Sequence, residues 1–275
     1  MKMNLTVEGL VKLIDHTRLK PETTQAKILE LCEEALAYEF ATVCINPVHV
    51  EYAAELLRDS SVGVCVVVGF PLGATLSEVK AYEAKNVVRK GASEVDMVIN
   101  IGALRDKNYD LVRSDIEAVV SAADSAIVKV ILETGFLVDD EKRQACLLCK
   151  DAGAHFVKTS TGFGPMGATP YDVRLMREMV GNKMGVKAAG GIRTFKDALR
   201  MIDAGANRLG TSSGVAIVEG FRWASYSDSF LEPDKPCWTC PSRQASLSKQ
   251  PKEVYLWYKQ RCVTCPHRDQ NVFND

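Results

Sequence analysis

Three lysines stand inside runs that otherwise read as apolar strands. Lys129 sits in IVKVILE, Lys158 in HFVKTSTG and Lys187 in MGVKAAGG, each among small or apolar neighbours. A buried ammonium is costly unless it is paired or gives up its proton. Two ammonium groups held side by side disfavour each other's charge, and burial acts in the same direction. An amine tuned in this way is a nucleophile that can form a Schiff base with a carbonyl substrate. Asp96, in EVDMVIN, offers a carboxylate for proton transfer. The plainer alternative is that each lysine simply pairs with a carboxylate such as Asp96 or Glu133, because structural ion pairs also perturb ionisation. Two lysines on successive strand-like runs, with an aspartate on another, favour chemistry.

A second signal lies in three loops rich in glycine and hydroxyl residues. They are STGFGPMGAT (160–169), AGGIRT (189–194) and GTSSG (210–214). Backbone N–H groups in such loops, helped by a helix N-terminus, hold phosphate without a cationic side chain. One such loop alone would read as a tight turn. Three of them after consecutive strand-like runs predict a phosphorylated substrate.

These residues need a scaffold that gathers strand ends. Eight short β-branched runs recur along residues 13–212: LID, ATVCI, VCVVVGF, EVDMVIN, IVKVILE, HFVKTS, GVKAAG and NRLGTS. Between them lie stretches with the three-and-four spacing of a helix face, such as Ile28, Leu31, Cys32, Ala35 and Leu36. Pro21 suits an early position in that helix. Apolar strands alternating with helices imply a parallel sheet covered on both sides. Eight units in about 220 residues match a (β/α)8 TIM barrel, in which catalytic groups sit at the C-terminal strand ends. An open doubly wound sheet would more often carry a glycine-rich fingerprint after its first strand, and LIDHTRLKPE has no glycine.

Composition sets further bounds. The chain has 275 residues, 47% hydrophobic and 25% charged, with net charge −1, which excludes a disordered or fibrous protein and gives no footprint for nucleic acid. Residues 60–77 are uncharged but interrupted by glycines and Pro71, so no membrane span is expected. The segment MKMNLTVEGL lacks an apolar core of signal-peptide length. The nine cysteines therefore read as thiols or metal ligands, and a cytoplasmic location is expected. His16, His49 and His155 show no metal spacing, and Cys146 and Cys149 fall on an apolar helical stripe.

Taken in order, LIDHT, ATVCINP, GFPLG, EVDMVINIGAL, KVILETG, VKTSTGFG, VKAAGGIRT and RLGTSSG resemble the signature segments of the deoxyribose-phosphate aldolase family. The resemblance covers essentially all of residues 1–221. It implies reversible cleavage of 2-deoxy-D-ribose 5-phosphate to acetaldehyde and D-glyceraldehyde 3-phosphate, with no metal or organic cofactor for catalysis. It further implies that Lys158 forms the Schiff base, that Lys187 tunes Lys158 through its positive charge, and that Asp96 moves protons. By the same resemblance Asp15 would help hold the site and Cys44 would line it. Thr161, Gly162, Gly190, Gly191, Gly210, Ser212 and Ser213 would bind the substrate. Phe163 follows Gly162, so the phosphate reading there rests on backbone N–H groups. A homodimer is expected. A class I aldolase for a different phosphorylated aldehyde is the alternative within enzymes, and an idle barrel serving as an adaptor is the alternative outside them.

Composition breaks near residue 221: all nineteen glycines precede it and all three tryptophans follow it. Residues 1–221 are expected to form the barrel domain and 222–275 a Cys-rich extension. CWTCPSR and CVTCPHR repeat one pattern, placing Cys237, Cys240, Cys262 and Cys265 as two CxxC pairs at a spacing close to that of a four-cysteine zinc site. A structural zinc, away from the lysine chemistry, is expected there. An unknown partner for this segment is left open.

Overall fold

The computed structural model describes residues 5–230, so residues 231–275 of the expected extension, with its four cysteines, lie outside the described residues. Short α1 (Val7–Val11) leads into β1 (Ile14–Arg18), and then come α2 (Gln25–Tyr38), β2 (Thr42–Ile45), α3 (Val50–Leu56) and β3 (Gly63–Val68). The middle of the chain forms α4 (Ser77–Arg89), β4 (Glu94–Val98), α5 (Ile101–Arg105), α6 (Tyr109–Ala122), β5 (Ile127–Ile131) and α7 (Asp139–Asp151). It continues through β6 (Phe156–Lys158), α8 (Pro170–Val180), β7 (Gly185–Ala189), α9 (Phe195–Asp203), β8 (Arg208–Thr211) and α10 (Gly214–Phe230). The eight strands are all parallel and pair in chain order, with β8 returning to β1 to close a barrel. Each expected strand is present, and the fold is a (β/α)8 TIM barrel. By packing, the barrel unit ends at Ile217, early in α10. No helix among the described residues is long and apolar enough to cross a membrane.

Strand alternation divides the apolar work. Outward positions Val43, Val66, Val95, Val130, Val157 and Val186 are β-branched and buried under the helices. Helix faces such as Ile116 and Val119 of α6 meet them. The inward positions carry polar side chains instead, and they build the site.

Two local expectations differ from the structure. The first long helix begins at Gln25 behind Thr24, so Pro21 lies in the preceding turn and not at an early helical position. That turn is closed by Thr23, whose hydroxyl and N–H both donate to the Lys20 carbonyl. Strand β6 is also shorter than its apolar run: beyond Lys158, Thr159 still bonds the Lys187 carbonyl through its N–H, and its hydroxyl takes over the exchange of hydrogen bonds with Ala189 on β7.

Candidate active site

Parallel register brings the chemical residues together. It sets Lys158 beside Lys187, Asp96 beside Lys129, Cys44 beside Cys65 and Lys187 beside Arg208. With a period of two, all of these fall on the inward set. TIM barrels fill their interior with layers of four side chains from alternate strands, usually branched apolar ones. Here one layer is Asp15, Cys65, Lys129 and Lys187, and the layer nearer the strand ends is Cys44, Asp96, Lys158 and Gly210.

Asp96 is the hub. Its Oδ2 accepts from both Lys158 Nζ and Lys187 Nζ at 2.7 Å, and its Oδ1 accepts from Lys129 Nζ at 2.8 Å. Below it, Lys129 pairs with Glu94 at 2.5 Å, and Asp15 takes Lys187 on one oxygen and Arg208 on the other, the latter at 2.7 Å. Arg208 reaches across to Glu94 at 3.2 Å. The cluster therefore holds four cationic side chains against three carboxylates. Losing one proton would balance it. The side chains of Lys129 and Lys187 are wholly buried, whereas Lys158 keeps 3% exposure at the mouth.

Electrostatics assign fixed charges to most of this set. Burial raises the pKa of Asp96, but Lys129, Lys158 and Lys187 overcome it and hold the carboxyl well below its ordinary value. Asp15 behaves alike, burial being outweighed by Lys187, Lys129 and Arg208. Burial also opposes the charge on Lys187, yet Asp15 and Asp96 raise its pKa above that of a free lysine. Lys187 is thus a permanent positive charge one strand away from Lys158.

Two thiols complete the wall. Cys65 Sγ lies 3.1 Å from Asp96 Oδ1 and receives a hydrogen bond from Lys129 at 3.2 Å. A hydrogen bond with Cys65 brings Cys44 down to about 7, with Lys187 assisting and burial opposing. Burial drives Cys65 in the other direction. Cys44, Cys65 and Asp96 could converge on a metal ion, as could Asp15, Cys65 and Glu94. Lysine ammonium groups already occupy the carboxylate oxygens of both sets, so neither suits a divalent cation. Over Cys44 sit Leu19, Val67 and Phe70, an apolar lining on the β1–β3 side.

The three glycine-rich loops are laced to one another at the mouth. Ala168 N–H donates to the carbonyls of Ala189 and Gly190, and Thr211 Oγ1 donates to the Ile192 carbonyl at 2.7 Å. Gly167 allows this approach, since a Cβ there would lie 2.3 Å from the Gly190 oxygen. Gly162 and Gly191 have φ of +86° and +79° and face open space. Ser212 is exposed, and Ser213 is half-buried with its N–H on Thr211 Oγ1 at 2.9 Å. Gly210 is placed differently: it lies within β8 against the stem of Lys187, 3.0 Å from where its Cβ would be. Its bareness makes room for that lysine. Thr161 is held by Glu133, which accepts from both its N–H, at 3.1 Å, and its hydroxyl.

Sequence reasoning missed Cys65, Glu94 and Arg208. Glu94 and Arg208 open their strands, where a charged residue is ordinary, and Cys65 is an apolar residue in an apolar run. Glu133 was visible only as a possible lysine partner, yet it is a buried carboxylate in the left-handed region (φ +54°) that braces the β6 loop. His155 accepts from the Val128 N–H at 3.0 Å, and Cys146 and Cys149 are buried in α7, each with a packing role.

Comparison with known proteins agrees with this fold. The model of the DeoC/LacD family aldolase matches residues 10–220. The deoxyribose-phosphate aldolase of Streptococcus sanguinis is 61% identical over 211 residues, covering 77% of this chain and 96% of that protein. That of Thermococcus gammatolerans is 59% identical over 217 residues, covering 78% of this chain and 96% of the relative. Among solved structures, a putative deoxyribose-phosphate aldolase from Coccidioides immitis superposes with TM-score 0.77 at 46% identity, over 79% of this chain and 87% of the other. The tetrameric deoxyribose phosphate aldolase from Aeropyrum pernix gives 0.74 at 36% identity, over 79% and 92%. A closed barrel with paired lysines on one aspartate at its mouth, matched along its length by these relatives, places the chain in the DeoC/LacD family of aldolases.

Proposed function

We infer that the protein is a deoxyribose-phosphate aldolase that cleaves 2-deoxy-D-ribose 5-phosphate reversibly through a lysine Schiff base. The observation that carries this reading is the pair of ammonium groups, Lys158 and Lys187, both at 2.7 Å from Asp96 Oδ2. Lys158, the one lysine of the three that reaches solvent, is the nucleophile. Its neutral amine adds to the C1 aldehyde of the open-chain sugar, and loss of water gives a protonated imine. The imine withdraws electrons as the C2–C3 bond breaks. The C3 hydroxyl loses its proton, the three-carbon fragment leaves as D-glyceraldehyde 3-phosphate, and C1–C2 remain on Lys158 as an enamine. Protonation at C2 and addition of water release acetaldehyde and restore the amine. The covalent electron sink avoids a free carbanion.

Asp96 orients the amine and moves protons between it and the substrate through water. Lys187 keeps its own proton and stands as a fixed positive charge beside the amine of Lys158. Asp15 anchors Lys187, and Cys44 lines the wall. Thr161, Gly162, Gly190, Gly191, Ser212 and Ser213 surround the phosphate end, and Gly210 serves by admitting Lys187. Trapping with borohydride in the presence of 2-deoxyribose 5-phosphate, followed by peptide mapping, is expected to give one adduct, on Lys158. An adduct on Lys187 or Lys129 would reassign the nucleophile, and no adduct with no acetaldehyde release would end the aldolase reading.

The reading keeps residues 222–275 as a separate extension in which Cys237, Cys240, Cys262 and Cys265 hold a structural zinc. Elemental analysis of the full chain is expected to find about one zinc per chain, lost in a C237S/C240S variant. A cytoplasmic homodimer belongs to the same reading, and light scattering separates two copies from the four described for the Aeropyrum pernix relative.

A further inference from the structure

The loop after β1 holds an exposed lysine, Lys20, at the mouth of the barrel. Leu19 is buried in the apolar lining with Cys44, Val67 and Phe70, and Asn46 Nδ2 donates to its carbonyl at 3.1 Å. The next carbonyl, that of Lys20, is taken by Thr23 at 2.7 Å. The backbone of this loop is thus pinned on both sides of an exposed lysine. Lys20 Nζ lies 5.5 Å from the ring centroid of Phe163, and Phe163 meets Phe70 edge to face at 5.4 Å. An ammonium over an aromatic face is held by the ring's negative face without being neutralised. Two residues earlier Arg18 reaches Glu30 at 3.9 Å, whereas among the described residues Lys20 forms no ion pair.

Phe163 stands between Gly162 and Gly164 in the β6 loop, and its N–H is fixed by Thr161 Oγ1 at 3.0 Å. The ring therefore presents the lysine at the mouth beside Gly162, which borders open space. The glycine-rich loops offer N–H and hydroxyl groups to a dianion, with the exposed Arg193 as their one cationic side chain. A pinned cation next to them, on the β1 loop, adds a second positive charge to that of Arg193. We propose that Lys20, seated on Phe163, is a specificity-determining residue that selects the phosphorylated substrate over its unphosphorylated form. The proposal rests on the aldolase reading above and adds a residue from the β1 loop, whose strand neighbours β8.

The test compares kcat/KM for 2-deoxyribose 5-phosphate and for 2-deoxyribose in the full-length wild type, K20M, K20R and F163L. One charge acting on a dianion across several ångströms of wet mouth is worth about fivefold. The ratio of the two values is expected to fall about fivefold in K20M, chiefly through KM for the phosphorylated sugar, and to recover in K20R. F163L, which removes the platform and keeps the charge, should fall between. The deficit of K20M should shrink at high salt, as an exposed charge requires. An unchanged ratio in K20M, or an equal fall in K20R, overturns the proposal while leaving the aldolase intact. A wild type that turns over neither sugar overturns both.

Discussion

At the scale of single residues, the proposed site holds an uneven count of charges. Four cations face three carboxylates, and Lys158 is the cation nearest the mouth. Removing Lys187 takes a fixed positive charge away from beside Lys158. K187M is therefore expected to lower kcat by about a hundredfold or more and K187R, which keeps the charge, to recover part of the loss in steady-state kinetics. An equal loss in both variants would mean that Lys187 only props the barrel. These lysines and Asp96 were legible in the sequence because charges inside apolar runs stand out. Their partners were not: Glu94, Arg208 and Cys65 look ordinary until the register sets them in one layer.

At the scale of elements, the eight strands were legible as β-branched runs separated by helical stripes, while their ends were not. Partners far away in sequence take over past the end of β6, where the Thr159 hydroxyl bonds the Ala189 backbone and the Thr161 N–H bonds the Glu133 carboxylate. Glu133 lies in a left-handed conformation that costs a non-glycine residue about 1 kcal/mol. Its carboxylate must offset that cost by holding the β6 loop. E133A is expected to lose about 1–3 kcal/mol of stability and to raise KM for the phosphorylated sugar. E133G should regain part of the stability by relaxing the backbone but keep the raised KM. Denaturation and steady-state kinetics on the two variants separate backbone from carboxylate. Equal KM for E133G and wild type would remove Glu133 from the positioning of that loop.

At the scale of the whole molecule, the ionic layers couple folding to pH. The depressed carboxyls, Asp15 and Asp96, contribute stability that is full above their unfolded pKa, about 3.9, and is lost as pH falls through their folded values. The raised lysines, Lys129 and Lys187, contribute stability that is full below about 10.4 and is lost as pH rises through theirs. Thermal unfolding followed across pH is expected to show a plateau between these limits and a decline on both sides. A melting temperature that climbs steadily through neutrality would contradict the assigned charges.

Barrel closure has a consequence for when the protein becomes reactive. Asp15 arrives with the first strand, while Lys187 and Arg208, which neutralise it, arrive with the last two. A chain still being synthesised carries these groups in water, where a lysine side chain is an ordinary protonated amine. Such long-range pairings form late and slowly. In the proposed mechanism the set of charges around Lys158 is therefore complete only once the two ends of the barrel have met.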